Sequence, residues 1–126
     1  MLKTLIAFLL LATSAVAAPT SRLLLPGKAP IPLASFAFAP DFPRVSGKAI
    51  PRGKITIGVG DSRWLRMLQE SLRGPAPVQG RIETRDGQML LETYIAAFKG
   101  PARLEPGKLQ VNHFNGKYLI RGVTHK

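Results

Sequence analysis

Histidine and carboxylate side chains do most general acid–base work and hold most hard or borderline metals, and this sequence has two of the first and seven of the second. A zinc site needs histidines or thiolates a few residues apart, with further ligands downstream. His113 falls in a strand-like stretch, His125 is second from the end, and neither has such neighbours. The chain has no cysteine, which excludes disulfides, thiolate metal sites and a lipid-modified lipoprotein cysteine. The carboxylates do not cluster, Asp61 and Asp86 each stand where a helix cap belongs, and no Gly-x-Ser-x-Gly nucleophile elbow occurs. The expectation is a protein that is not an enzyme, with no cofactor and no metal.

Two binding chemistries remain. Gly-Lys occurs five times, at Gly27-Lys28, Gly47-Lys48, Gly53-Lys54, Gly107-Lys108 and Gly116-Lys117. A phosphate loop requires Gly, four residues, then Gly-Lys-Ser or Gly-Lys-Thr; Gly53-Lys54 is followed by Ile55 and lacks the upstream glycine. These pairs read as turns that lead into strands, with the lysines solvated. Single-stranded nucleic acid needs exposed aromatics interleaved with basic residues on a sheet. His113, Phe114, Lys117, Tyr118 and Arg121 make a faint version, but Phe114 and Tyr118 serve equally as core residues, so nucleic acid is not the expected partner.

Charge points more broadly. Lys and Arg number 18 against 7 Asp and Glu. Such an excess raises encounter rates with anionic surfaces: phosphorylated lipid, acidic glycan or nucleic acid.

The elements that must position these residues begin after an export signal. Lys3 precedes an apolar run, Leu5 to Leu11, and the small residues Ala15-Val16-Ala17 follow, the order of a cleavable secretory signal cut near Ala17. The run is far shorter than the ~20 residues that a spanning helix needs. The expected division is a signal peptide at 1–17, a Pro-rich extended arm at 18–52, and a small domain at 53–126, periplasmic or secreted, with no membrane anchor after cleavage. Seven of the eleven prolines, Pro19, Pro26, Pro30, Pro32, Pro40, Pro43 and Pro51, lie in the arm and favour extended backbone. Leu23, Leu24, Leu25, Leu33, Phe36, Phe38 and Phe42 are too apolar to be left in water, so parts of the arm are expected against the domain or a partner.

In the domain, Ile55, Ile57 and Val59 alternate as a half-buried strand. A helix follows, capped by Asp61 or Ser62 and stopped by Gly74-Pro75, with Trp64, Leu65, Met67, Leu68, Ser71 and Leu72 on one face and Arg63, Arg66, Gln69, Glu70 and Arg73 opposite. Val78 to Thr84 alternates again, with Gln79, Arg81, Glu83 and Arg85 on the wet side. Asp86-Gly87 has two readings, a hairpin turn or a cap to a second helix. The helix is preferred because Leu90, Leu91, Tyr94, Ile95, Ala97 and Phe98 fill one half of a wheel and Lys99-Gly100-Pro101 supplies an ending. Leu109 to Phe114 and Lys117 to His125 read as a closing hairpin about Asn115-Gly116. The expected class is α+β: a small sheet with two helices, ordered strand-helix-strand-helix-strand-strand and preceded by the arm.

Within residues 54 to 123, Ile55-Thr56-Ile57, Gly60-Asp61-Ser62-Arg63-Trp64-Leu65-Arg66-Met67-Leu68, the middle strand, Tyr94-Ile95-Ala96-Ala97-Phe98 and the closing hairpin resemble small periplasmic domains of envelope-spanning machines. These are the first periplasmic domain of secretins, the short N-terminal domain of TonB-dependent receptors and, above all, the toxin-coregulated pilus biosynthesis protein Q family. The resemblance implies a non-enzymatic periplasmic subunit or accessory protein of a pilus, secretion or conjugation apparatus, working by protein–protein docking. Its contacts would be a sheet edge that accepts a partner strand, Phe36, Phe38 and Phe42 in the arm, and Arg63, Arg66 and Arg73 on the helix. Gly116 to His125 is also similar to strands of phage tail hub proteins, which would imply a structural role in a tail. A third expectation comes from charge alone: a basic module that binds anionic lipopolysaccharide or glycan.

Overall fold

Alternation of apolar and polar side chains, the signature of a half-buried strand, runs well beyond the stretches expected to be extended. The computed structural model describes residues 19–121; the export signal at 1–17 lies outside them, as do the last residues of the expected closing strand. The elements are β1 (Thr20–Leu24), β2 (Ile31–Leu33), β3 (Ser35–Ala39), β4 (Ala49–Gly58), α1 (Ser62–Ser71), β5 (Val78–Asp86), β6 (Met89–Glu105) and β7 (Lys108–Ile120). All seven strands form one antiparallel sheet in the order β2-β1-β5-β6-β7-β4-β3.

The two outermost strands of this sheet are consecutive in sequence. β2 ends at Leu33 and β3 begins at Ser35, so Ala34 alone joins the sheet's two edges. Leu33 and Ser35 are two Cα steps apart, at most about 7 Å, so the two edges come together at that corner and the sheet curls into a half-barrel. The Ala34 N–H fixes the junction by donating to the Gly58 carbonyl at 2.8 Å. Inside the curl, Leu23, Ile31, Ile55, Ile57, Ile82, Phe98, Leu109 and Val111 are fully or almost fully buried.

α1 packs against β2 and β6, contributing Leu65, Leu68 and Leu72 to the same core. The Asp61 carboxylate accepts the Arg63 N–H at 2.8 Å and starts the helix, satisfying one of its free first-turn donors. At the far end the Gly100 N–H donates to the Leu72 carbonyl at 3.0 Å and ties the helix to β6.

This architecture overturns the expected α+β class with two helices and a separate extended arm. Among the described residues there is one helix and the rest is mostly strand. The stretch expected to be a second helix is the middle of β6. Asp86 pairs with Met89 across Gly87-Gln88, with Gly87 at φ +63°, so the hairpin turn is what forms. Tyr94, Ala96 and Phe98 point into the core, while Ile95 and Ala97 on the other face are half-covered. Apolar residues on both faces of a strand mimic an apolar half-wheel, and periodicity alone does not separate the two; Thr93, Tyr94, Ile95 and Phe98 are strand-favouring types.

The closing hairpin is corrected in the same way. β7 runs unbroken through Asn115-Gly116, where Asn115 at φ +54° forms a bulge opposite β6, and the turn lies at Pro106-Gly107 instead. Gly116 is required at the bulge, because a Cβ there would overlap the Tyr94 hydroxyl. The Pro-rich segment supplies β1, β2 and β3, and its Leu23, Leu25, Ile31 and Phe38 are core residues. Its prolines fall in edge strands, turns or ladder gaps, where a missing N–H costs least.

Candidate functional site

Antiparallel partners lie on the same face of a sheet, so the register specifies what the outer, solvent-facing side carries. Five rows cross it: Thr20–Arg85–Leu90, Arg22–Glu83–Thr93–Leu119, Leu24–Arg81–Ile95–Lys117, Gln79–Ala97–Phe114–Arg52, and Lys99–Asn112–Lys54. These rows hold seven cationic side chains and one carboxylate, Glu83. At the far end Lys108 and Glu105 pair with each other at 3.1 Å. Charges scattered along the chain are thus gathered on one surface, with Leu119 43% exposed among them.

Glu83 organises the densest part. Its side chain is 7% exposed and meets three guanidinium groups: Arg81 Nε at 3.1 Å, Arg85 Nε at 3.2 Å and Arg22 Nη2 at 3.4 Å. Burial pushes the carboxyl pKa up, but hydrogen bonds and charge from Arg85 and Arg81 more than reverse this and hold it below its ordinary value. A buried carboxylate without such partners would cost several kcal/mol. Arg85 also donates to the Gln88 carbonyl at 3.0 Å. Arg81 thus spends only Nε and keeps both terminal nitrogens available, whereas Arg85 keeps Nη2 and Arg22 keeps Nη1.

Beside Arg81 the surface opens into a groove of about 340 Å³ lined by Leu24, Leu25, Pro26, Gln79, Gly80, Arg81 and Ile95. It lies where β1 ends and leaves β5 uncovered. Gly80 allows this close approach, since a Cβ there would lie 2.9 Å from the Leu24 carbonyl oxygen.

The inner face is chemically different. Phe38 sits amid the rings of Tyr94, Phe42, His113, Phe36 and Tyr118, with centroids 5.0 to 5.9 Å away. Tyr94 Oη and His113 Nδ1 form a hydrogen bond of 2.7 Å. His113 is wholly buried; burial pushes its pKa down, and the nearby Lys54 backbone opposes this only in part. Its Nε2 has no hydrogen-bond partner, and Gly53 leaves room for it, a Cβ there falling 2.9 Å away. Burial pushes the Tyr94 and Tyr118 phenols up as well. The segment between β3 and β4 crosses this cluster: Arg44 lies over the Phe36 ring at 5.1 Å and pairs with Glu92 at 3.3 Å, and the Gly47 N–H donates to the Tyr118 carbonyl at 2.7 Å. No face of the Tyr94–His113 pair is open to a substrate.

The residues singled out in the sequence divide accordingly. Phe36, Phe38 and Phe42 belong to the inner cluster, Phe38 buried and the other two half-buried. Arg63 is exposed beside Asp61 and over the Trp64 ring, 5.7 Å from its centroid. Arg66 and Arg73 line a cleft of about 490 Å³ with Gln69, Glu70, Gly100 and Pro101. The structure does not bring the arginines of the helix together with the phenylalanines. Sequence reasoning missed the Glu83 cluster, although Arg81, Glu83 and Arg85 were already placed on one wet strand face. What could not be seen was Arg22, which joins them from a strand about sixty positions away.

Among the described residues no group of His, Asp and Glu is placed to hold a metal ion, and no helix is long and apolar enough to cross a membrane. Compared with profiles of known protein families, with curated proteins and with solved structures, the chain matches none.

Proposed function

We propose that the protein is a non-enzymatic binding module that holds an anionic partner against the outer face of its sheet. The observation that carries this is the segregation of charge: seven cations and a single, already neutralised carboxylate on one surface. Fields of one sign over a face raise the local concentration of oppositely charged partners and speed their encounter. The export signal read in the sequence would put that partner in the cell envelope or outside it, as phosphorylated lipopolysaccharide or acidic glycan. The inner face supports no competing catalytic role, because its titratable groups are sealed in aromatic packing.

Binding of the purified chain to lipopolysaccharide and to a neutral glycan, each titrated across a salt series, tests this. Binding to the anionic ligand that falls steeply with salt, without binding to the neutral one, is the expected result. Equal or salt-independent binding to both would sink it.

A second role, docking as a subunit of an envelope-spanning apparatus, draws support from the open cleft beside Arg66 and Arg73. The sheet edges offer it less. β2 and β3 are three and five residues long and run into each other at Ala34, which leaves little free backbone for strand addition. Photo-cross-linkers at Arg66 and Arg73 in intact cells would capture an assembly subunit if this role holds and would return no protein adduct if it does not.

A further inference from the structure

We infer that the outer face contains one defined ligand site, for an amphiphile with a phosphate head: the phosphate lies on Arg22, Arg81 and Arg85, and the apolar portion lies in the groove bounded by Leu24, Leu25, Pro26 and Ile95. This rests on the anion-binding function proposed above and names its ligand class.

Three observations converge. The first is the choice of cation. Arg22, Arg81 and Arg85 are the guanidinium groups that cluster, whereas the lysines of the face, Lys54, Lys99 and Lys117, are dispersed. A guanidinium presents a planar fork that matches phosphate oxygens, which an ammonium does not. The second is Glu83. If the face served only as a diffuse positive field, a carboxylate at its densest point would weaken it. Buried and hydrogen-bonded to Arg81 Nε and Arg85 Nε, it instead fixes the direction of two guanidinium groups and leaves their Nη2 donors uncommitted. Arg22 adds a third guanidinium, engaged at Nη2 by a longer contact of 3.4 Å and with Nε shut off from solvent, so that Nη1 is the donor it can offer. A net charge of +2 remains over the cluster, which suits a phosphate ester.

The third observation is the groove. Arg81 belongs to both features: it binds Glu83 on one side and lines the groove on the other. Leu24 and Ile95 flank it directly in the same cross-strand row, and alternate residues on one strand face are about 7 Å apart. A phosphate on the cluster therefore places a short apolar chain or ring over Leu24 and Ile95. The groove volume of about 340 Å³ is at the small end of the ~300–1,000 Å³ typical of ligand pockets.

The test is isothermal titration of the full chain with dihexanoyl phosphatidic acid, inorganic phosphate and dihexanoyl phosphatidylcholine, below the lipids' micellar concentrations. The phosphatidic acid is expected to bind, inorganic phosphate at least roughly tenfold more weakly, and the choline lipid not measurably. Arg81→Lys, which keeps the charge at a half-exposed position and loses the fork, is expected to weaken phosphatidic acid roughly tenfold. Glu83→Gln raises the net charge yet is expected to weaken binding as well, with thermal unfolding run in parallel to confirm that the variant is folded. The double variant Lys54→Gln/Lys117→Gln, which removes two charges elsewhere on the face, is expected to cost less than about threefold.

Tighter binding by folded Glu83→Gln, or no effect of Arg81→Lys, overturns the site and leaves the basic face as a diffuse field. Inorganic phosphate binding as tightly as phosphatidic acid overturns the amphiphile. Absence of binding by any anionic probe, lipopolysaccharide included, overturns both the site and the function it rests on.

Discussion

Each face of the curled sheet buries a group that ordinarily titrates below pH 7, His113 inside and Glu83 outside, and the two solve the problem of burial in opposite ways. His113, inside, is kept neutral: aromatic rings surround it and Tyr94 hydrogen-bonds it. Glu83, outside, is kept charged: three arginines fold over it. The first arrangement closes its polar atoms off from solvent. The second makes a surface with donors left over. Burial alone therefore does not mark a functional site; what counts is whether the groups that satisfy the buried one still have capacity facing solvent.

Substitutions sharpen this contrast, beginning with the interior. Phe38→Ala removes the ring at the centre of the aromatic cluster and is expected to cost ~3–5 kcal/mol of stability, read from chemical denaturation. Gly116→Ala drives a methyl group into the Tyr94 hydroxyl and is expected to cost about 1–3 kcal/mol or more; a wild-type denaturation midpoint would show that the bulge tolerates a side chain and that Tyr94 is not held where it lies. On the outer face, Glu83→Gln leaves Arg81 and Arg85 without their shared anion and is expected to destabilise by about 1–2 kcal/mol at neutral pH, less than either interior change.

Acid should also distinguish the faces. The folded pKa of His113 is depressed below the ordinary 6.5, so the unfolded chain takes up its proton first, and stability declines as pH falls through 6.5 and on towards the folded value. Glu83 is likewise depressed, below 4.5; its contribution is complete above 4.5 and is lost only as pH falls through its lower folded value. Denaturation midpoints between pH 7.5 and pH 3 should thus fall in two stages. Replacing His113 by Asn should remove the first stage and keep the second. If the first stage survives that replacement, His113 is not its source. The smallest expected effect is that of Arg52→Gln on the outer face: within about 0.5 kcal/mol of wild-type stability, with a measurable loss of affinity for lipopolysaccharide at low salt.

Legibility in the sequence followed the range of the interactions. α1 was readable because its cap at Asp61, its apolar stripe and its Gly-Pro stop all lie within fifteen residues. The strand at Ile55 to Val59 was readable by alternation. β6 was not, because half-cover of Ile95 and Ala97 on the outer side blurs the alternation that would have named it. Asn115-Gly116 carries the composition of a turn, but Tyr94 and Tyr118 on either side of the bulge keep β7 in the sheet. The phenylalanines of the Pro-rich segment were judged too apolar for water, and Phe38 is in the core with Phe36 and Phe42 packed against it; the placement of Phe36 and Phe38 follows from β3 pairing with β4, which composition does not encode. Of the candidate site, the Arg81–Glu83–Arg85 alternation was on view, and Arg22 and the groove were set by the β1–β5 register alone.

That register also governs the order in which the molecule can be completed. Arg22 pairs across the sheet with Glu83, and Leu23 with Ile82, so the strand synthesised first waits for a partner about sixty residues later in the chain. The hairpins joining β5, β6 and β7 close locally, whereas closing the β1–β5 loop carries the entropy of a long contact. Leu23, Leu25, Ile31 and Phe38 all belong to that proline-rich lead segment and need the later strands to be buried. Proline's missing donors make such a segment a poor template for pairing with neighbouring chains. The prolines that read as a linker in the sequence thus also limit how far this lead segment, beyond its local β1–β2 pairing, can add strands from other chains.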